Sequence, residues 1–190
     1  MTEPHLPLQT DGELRTRAGQ LFAPGEDGRA WYVFHARPRC EKKAAEVCCQ
    51  VDIRHYLPLR HSEPRRRQGQ RRYSFEVPLF PGYLFGCCDA AERYQMMCSD
   101  QLVRTIEVVD QQQLLSELHS VYLATHSTVS LTLYPQLRRG RYVRVTRGPL
   151  EGVVGRISRR KEGLRLVLNV SILGAAVAAE MDMADVELVD

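Results

Sequence analysis

The spacing of apolar residues changes character once along the chain, and that change limits the folds open to it. Between residues 31 and 125, runs with a two-residue period alternate with stretches of helical period; from residue 141 onward only the two-residue period remains. Trp31-Tyr32-Val33-Phe34-His35 is aromatic and β-branched and predicts a strand. After Pro38, Cys40, Ala44, Val47 and Cys48 fall on one helical face and Arg39, Lys42, Lys43 and Glu46 on the other, so an amphipathic helix follows. Further strands are expected at 53–59, at Tyr73, Phe75 and Val77, at 83–88 and at 103–109. Asp89 and Asp110 are placed to cap helices that run to Cys98 and Tyr122.

The second half reads differently. Val143 and Val145 alternate with Tyr142 and Arg144, Gly148-Pro149 turns the chain, and 153–157 is a second strand. Leu164, Leu166, Leu168 and Val170 share one face of a third, after a hairpin tip at Lys161-Glu162-Gly163. Weaker strands at 177–181 and 186–189 complete a small five-stranded barrel. The expected organisation is a flexible leader over 1–29 with one short helix near 13–21, a mixed unit over 30–125, a linker over 126–139 and an all-β unit over 140–190.

Composition removes several function classes. No apolar run is long enough to span a bilayer, and the first ten residues lack the basic and apolar regions of a secretory signal, so a cytoplasmic, non-membrane protein is expected. Six cysteines without framework spacing fit free, buried thiols in a reducing compartment. Phosphate-binding loops, nucleophile elbows and zinc-ligand spacings are absent, so no catalytic residue, metal site or cofactor is expected. The net charge is only +3, yet basic residues cluster at 60–72, 138–147 and 159–161, and the last eleven residues are acidic. Local basic fields of this kind attract phosphate backbones even when the total is near neutral; the alternative is a solvated edge.

Residues 31–42 (Trp31-Tyr32-Val33-Phe34-His35-Ala36-Arg37-Pro38-Arg39-Cys40-Glu41-Lys42), followed by Pro78-Leu79-Phe80-Pro81-Gly82-Tyr83-Leu84-Phe85, resemble the NusG family of transcription elongation factors. Val143-Arg144-Val145-Thr146-Arg147-Gly148-Pro149-Leu150-Glu151-Gly152 is similar to the opening of that family's KOW motif. The resemblance implies an α+β chain: an NGN-type α/β sandwich, with an antiparallel sheet flanked by helices, then a small SH3-like KOW barrel. It also implies a monomeric, non-enzymatic factor whose NGN domain grips the clamp helices of the largest RNA polymerase subunit. Tyr83 and Phe85 match the positions lining that apolar patch, with Trp31 and Phe34 as neighbours. Arg37 and Lys43 match DNA-contacting positions of specialised members such as RfaH, implying contact with the non-template strand, and Arg65, Arg66 and Arg67 are basic candidates for the same fork. Ser171, Ile172, Leu173 and Gly174 match the barrel loop that meets the ribosomal protein NusE or Rho.

Departures from the family pattern favour a specialised paralogue that suppresses pausing or termination. Tyr94-Gln95-Met96 stands where RfaH has a His-Thr-Thr contact, Gln101-Leu102-Val103 replaces a common Pro-Gly-Val, and Leu173 and Ala175 replace the Phe and Arg of housekeeping members. A housekeeping factor coupled to Rho or the ribosome, and an RNA-binding KOW module of the translation apparatus, remain the alternatives. The alanine- and methionine-rich stretch 174–185 leans towards helix, against the strand a barrel needs. The alternation at 164–170 argues for the strand, so a β-barrel with the polymerase patch unmasked is expected.

Overall fold

The computed structural model describes residues 11–62, 75–137, 140–160 and 163–189. Two antiparallel sheets carry it. The first is built from β1 (Ala30–Ala36), β2 (Arg54–Tyr56), β5 (Tyr83–Cys88) and β6 (Leu102–Glu107), in the order β2-β5-β1-β6. Between its strands lie α2 (Glu41–Gln50), the small hairpin β3 (Leu59–His61) and β4 (Glu76–Pro78), and α3 (Ala90–Cys98). Helix α4 (Gln111–Thr125) follows β6, and α1 (Asp11–Leu21) precedes the sheet. The fold is therefore mixed, with helices on both faces of an antiparallel sheet.

Register decides which residues lie under which helices. Cross-strand partners share a face, so Val33, Phe85, Ile106 and Tyr56 lie together, and Phe34, Leu84 and Thr105 lie on the other side. The first face packs with Leu114, Leu118 and Val121 of α4 and with Ala18 and Phe22 from the α1 region. The second packs with Ala44 and Cys48 of α2 and Met96 of α3. Phe34 fills the space above Gly86, where any Cβ would stand 2.4 Å from its ring, so this position needs glycine. Both aspartates cap as the spacing predicts: Asp89 and Glu92 form a reciprocal capping box, and Asp110 accepts from the Gln113 N–H.

The second sheet runs β12-β8-β9-β10-β11-β7. The five expected strands form as β8 (Tyr142–Val145), β9 (Val154–Arg160), β10 (Gly163–Val170), β11 (Ala175–Met181) and β12 (Val186–Leu188). Packing overrides helix propensity in β11: Ala176, Val177, Ala178 and Ala179 are all buried against β10 and its surroundings. The sixth strand, β7 (Thr132–Pro135), pairs with β11 from inside the stretch expected as a linker.

Four further expectations change. Residues 11–29 are not a loose leader over their described length. Phe22 is buried and sits 5.2–5.9 Å, ring to ring, from Trp31, Tyr56 and Tyr122. Arg54 fastens the end of this segment by donating to the carbonyls of Gln20 and Pro24 while lying over Trp31. The expected strand at 53–59 is two, because Pro58 has no N–H to continue a ladder, and β3 pairs with β4 instead of β5. Phe75 is 67% exposed, so its alternation with Val77 does not mark a buried face, and Tyr73 lies outside the described residues. The cysteines are free, but Cys49 and Cys98 are exposed.

Candidate functional site

The Pro81-Gly82 turn delivers Tyr83 to the edge of the sheet face that α4 covers. Gly82 has φ +84°, the left-handed region that favours glycine. Its carbonyl accepts from Ala36 N–H at 2.8 Å and its own N–H donates to the Glu41 carboxylate at 2.8 Å. Glu41 is the buried charged residue among the described residues of this unit, in the first turn of α2, where the helix dipole favours an anion. Below the turn, Leu79 and Phe80 are buried. The Tyr83 ring stacks on His35 at 4.9 Å, and His35 stands opposite Arg104 on the edge strand β6. Tyr83, His35 and Ile106 are half-buried and Arg104 is exposed, so this end of the face meets solvent while the end under α4 does not.

The four residues expected to line an apolar binding patch do not share one environment. Tyr83, Phe85 and Trp31 lie on the same face, as the strand period requires. Phe85 and Trp31 are wholly buried there, and Trp31 is held further by its indole N–H donating to the Ala23 carbonyl and by Gln111 bonding both its backbone groups. Phe34 lies on the opposite face, beneath α2 and α3. Tyr83 alone of the four offers surface. Glu41, His35 and Arg104 are the residues that sequence reasoning passed over: the signal for Glu41 was an acid in a helix's first turn, whereas only the register brings His35 and Arg104 beside Tyr83.

Two of the expected nucleic-acid residues, Arg37 and Lys43, follow β1 in the chain, at the Tyr83 end of the sheet. Arg37 follows β1, is exposed, and pairs with Asp100 at 2.5 Å. Lys43 is exposed in the first turn of α2. Arg65, Arg66 and Arg67 lie outside the described residues. The barrel loop behaves otherwise. Ser171 to Leu173 form a 3-10 turn closed by Gly174 at φ +61°. That loop is docked on α4: the Ser171 N–H and hydroxyl both donate to the Glu117 carboxylate, and the Gln113 amide donates to the Ser171 hydroxyl at 3.1 Å. Ile172 and Leu173 are half-buried in the same contact.

Burial pushes the Cys48 and Cys88 thiols up to about 12, which leaves them protonated and unreactive at neutral pH. Among the described residues no group of three His, Cys, Asp or Glu side chains is placed to hold a metal ion. Also among them, no helix is long and apolar enough to cross a membrane.

The sequence model of the family described as "NusG: Transcription termination factor nusG" matches residues 29–120. A solved structure of NusG from Thermotoga maritima, reported for its domain interaction, aligns with 85% of this chain and 98% of its own at 14% identity and a TM-score of 0.45. That likeness is too loose to carry an assignment. No curated protein matches.

Proposed function

Because the chain belongs to the NusG family through residues 29–120, we propose that it is a non-enzymatic transcription factor that rides on elongating RNA polymerase. The observation that carries this reading is the Tyr83 turn: an aromatic ring held at a solvent-facing sheet edge by Glu41 and His35, inside the family-matching stretch. The clamp helices of the largest polymerase subunit are the partner, and Tyr83, Ile106 and Arg104 are the part of the sheet face open to them, with Phe85 and Trp31 as its buried backing. Phe34 supports the sheet from behind. Arg37 and Lys43, at the same end, are the residues nearest in kind to a phosphate contact with the non-template strand, a contact that carries no sequence information by itself.

A factor clamped at this position acts mechanically: by stabilising the closed clamp it lowers the rate at which polymerase enters paused states. We assign the chain to the specialised branch of the family, cytoplasmic and acting as a monomer. The support is Leu173 and Ala175 at barrel-loop positions where housekeeping members carry Phe and Arg. Coupling to NusE or Rho through Ser171–Gly174 would first require this loop to leave Glu117. Single-round transcription with purified polymerase tests the reading. Added protein shortens pause half-lives, Tyr83→Ala removes the effect, and addition of Rho does not raise termination. Unchanged pausing would refute the elongation role, and enhanced Rho termination would return the chain to the housekeeping branch.

A further inference from the structure

The six cysteines are free, and two of them, Cys49 and Cys98, are exposed. Both lie in the last turn of a helix, Cys49 on α2 and Cys98 on α3, where the helix dipole opposes a thiolate. Their surroundings differ. Cys98 lies beside the phenol of Tyr94, one turn earlier on the same helix. Cys49 faces an imidazole. The chain leaves α2 through a tight turn in which Asp52 takes φ +56° and the Ile53 N–H donates to the Cys48 carbonyl at 2.8 Å. That turn lays β2 back alongside the end of α2. The strand period then sends Arg54 towards Trp31 and Cys87, on the face that α4 covers, and His55 towards the α2 side. The His55 Nε2 thereby stands 3.8 Å from the Cys49 Sγ.

The other ring nitrogen fixes what Nε2 can do. Nδ1 lies 2.9 Å from the Ile53 carbonyl oxygen, which only accepts, so Nδ1 carries the proton. Nε2 is then the bare nitrogen, and it faces the thiol. A nucleophile, a base and a group that orients the base are the parts of an activated thiol, and Cys98 has no such set in Tyr94. We propose that Cys49 is a site of reversible S-thiolation by low-molecular-weight disulfides, with His55 as the base that takes its proton. In the exchange, Nε2 accepts the thiol proton as Sγ attacks one sulfur of the disulfide. A new S–S bond joins Cys49 to that half, the old S–S bond breaks, and the departing thiolate takes the proton back from the imidazolium. One half of the reagent leaves as a free thiol, and no other oxidant is needed. The mixed disulfide is the end state, because the buried thiols nearby do not displace it. Cys48 is adjacent but points about 100° round the helix, and burial keeps it and Cys88 protonated. This inference does not rest on the transcription role.

Incubation of the full chain with oxidised glutathione, followed by peptide mass spectrometry, tests it. At about pH 7 an unassisted thiol is ionised to only a few per cent, so a base has up to about thirtyfold to contribute. We expect Cys49 to react about tenfold faster than Cys98 at this pH, and His55→Gln to abolish that advantage while leaving Cys98 unchanged. Raising the pH to about 9.5 should speed Cys98 about thirtyfold but wild-type Cys49 only about threefold, since ordinary thiols ionise there without help. His55→Gln should restore the steep rise at Cys49, which a merely structural role for the imidazole would not do. Dithiothreitol should return the unmodified chain. The wild-type pH profiles need no variant, so the test holds if His55→Gln disturbs folding. The proposal is overturned by any of four results: Cys98 reacting as fast as Cys49 at neutral pH, equally steep pH profiles for the two in the wild type, an unchanged Cys49 rate in His55→Gln, or a disulfide within the chain in place of the mixed one.

Discussion

On the acid side, His119 and Glu92 tie the stability of the first unit to pH, and they act in different windows. His119 of α4 is half-buried near Arg15, and burial first, then that guanidinium, lowers its pKa below the ordinary 6.5. The unfolded chain therefore binds the proton more readily, so stability is full above about 6.5 and declines as pH falls below it. Glu92 is held below its ordinary 4.5, chiefly by the hydrogen bond from Arg29 at 2.6 Å and also by the Asp89 N–H. Its contribution is present above that value and is lost as pH falls further, through the depressed folded pKa. Chemical denaturation across pH should show two separate declines. His119→Gln should remove only the upper one and Glu92→Gln only the lower. A single decline unaffected by either change would contradict the assignment. Little of this was legible beforehand. Asp89 three residues before Glu92 is a visible capping signature, but Arg29 meets Glu92 across 63 residues, and no local pattern announces that.

At the scale of elements, the sequence was most readable where one face of a strand or helix is buried along its whole length. Leu164 to Val170, and Ala44 with Cys48, sit as their periods require. It was least readable at edges. Thr132–Pro135 is an edge strand whose Leu133 remains exposed, so it lacks a complete alternation and its sequence resembles a linker. Its terminal proline is tolerated at an edge. Helix α1 was legible in outline and undervalued in role. Leu14, Ala18, Leu21 and Phe22 recur at the helical spacing, and that stripe covers the aromatic cluster rather than waving free. Phe22→Ala should therefore cost ~3–5 kcal/mol, as for other buried aromatics. Urea unfolding checks this; a loss below ~1 kcal/mol would mean that α1 is a dispensable leader after all.

Across the whole molecule, the two sheets meet through α4. One side of that helix packs on Trp31 and Val33, while Gln113 and Glu117 hold Ser171 of the barrel loop, and Arg15 of α1 donates to the Glu151 carbonyl. The motifs follow the change of hydrophobic period from the first sheet to the second. They gave no sign of this joint, which rests on side chains more than 50 residues apart. They also overstated the apolar patch, since strand periodicity put Tyr83 and Phe85 on one face correctly but did not reveal that α4 and α1 bury most of that face. The account turns on the part left open. The most direct measurement is the affinity of the folded chain for RNA polymerase with intact clamp helices and for the same enzyme with the clamp-helix tip removed, for wild type and Tyr83→Ala. We expect tight binding only of wild type to intact enzyme, with Tyr83→Ala weakened by ~1.5–3 kcal/mol, the value of one buried aromatic. Equal binding of wild type to both enzymes, or of Tyr83→Ala and wild type to the intact one, would contradict the proposed role of this face.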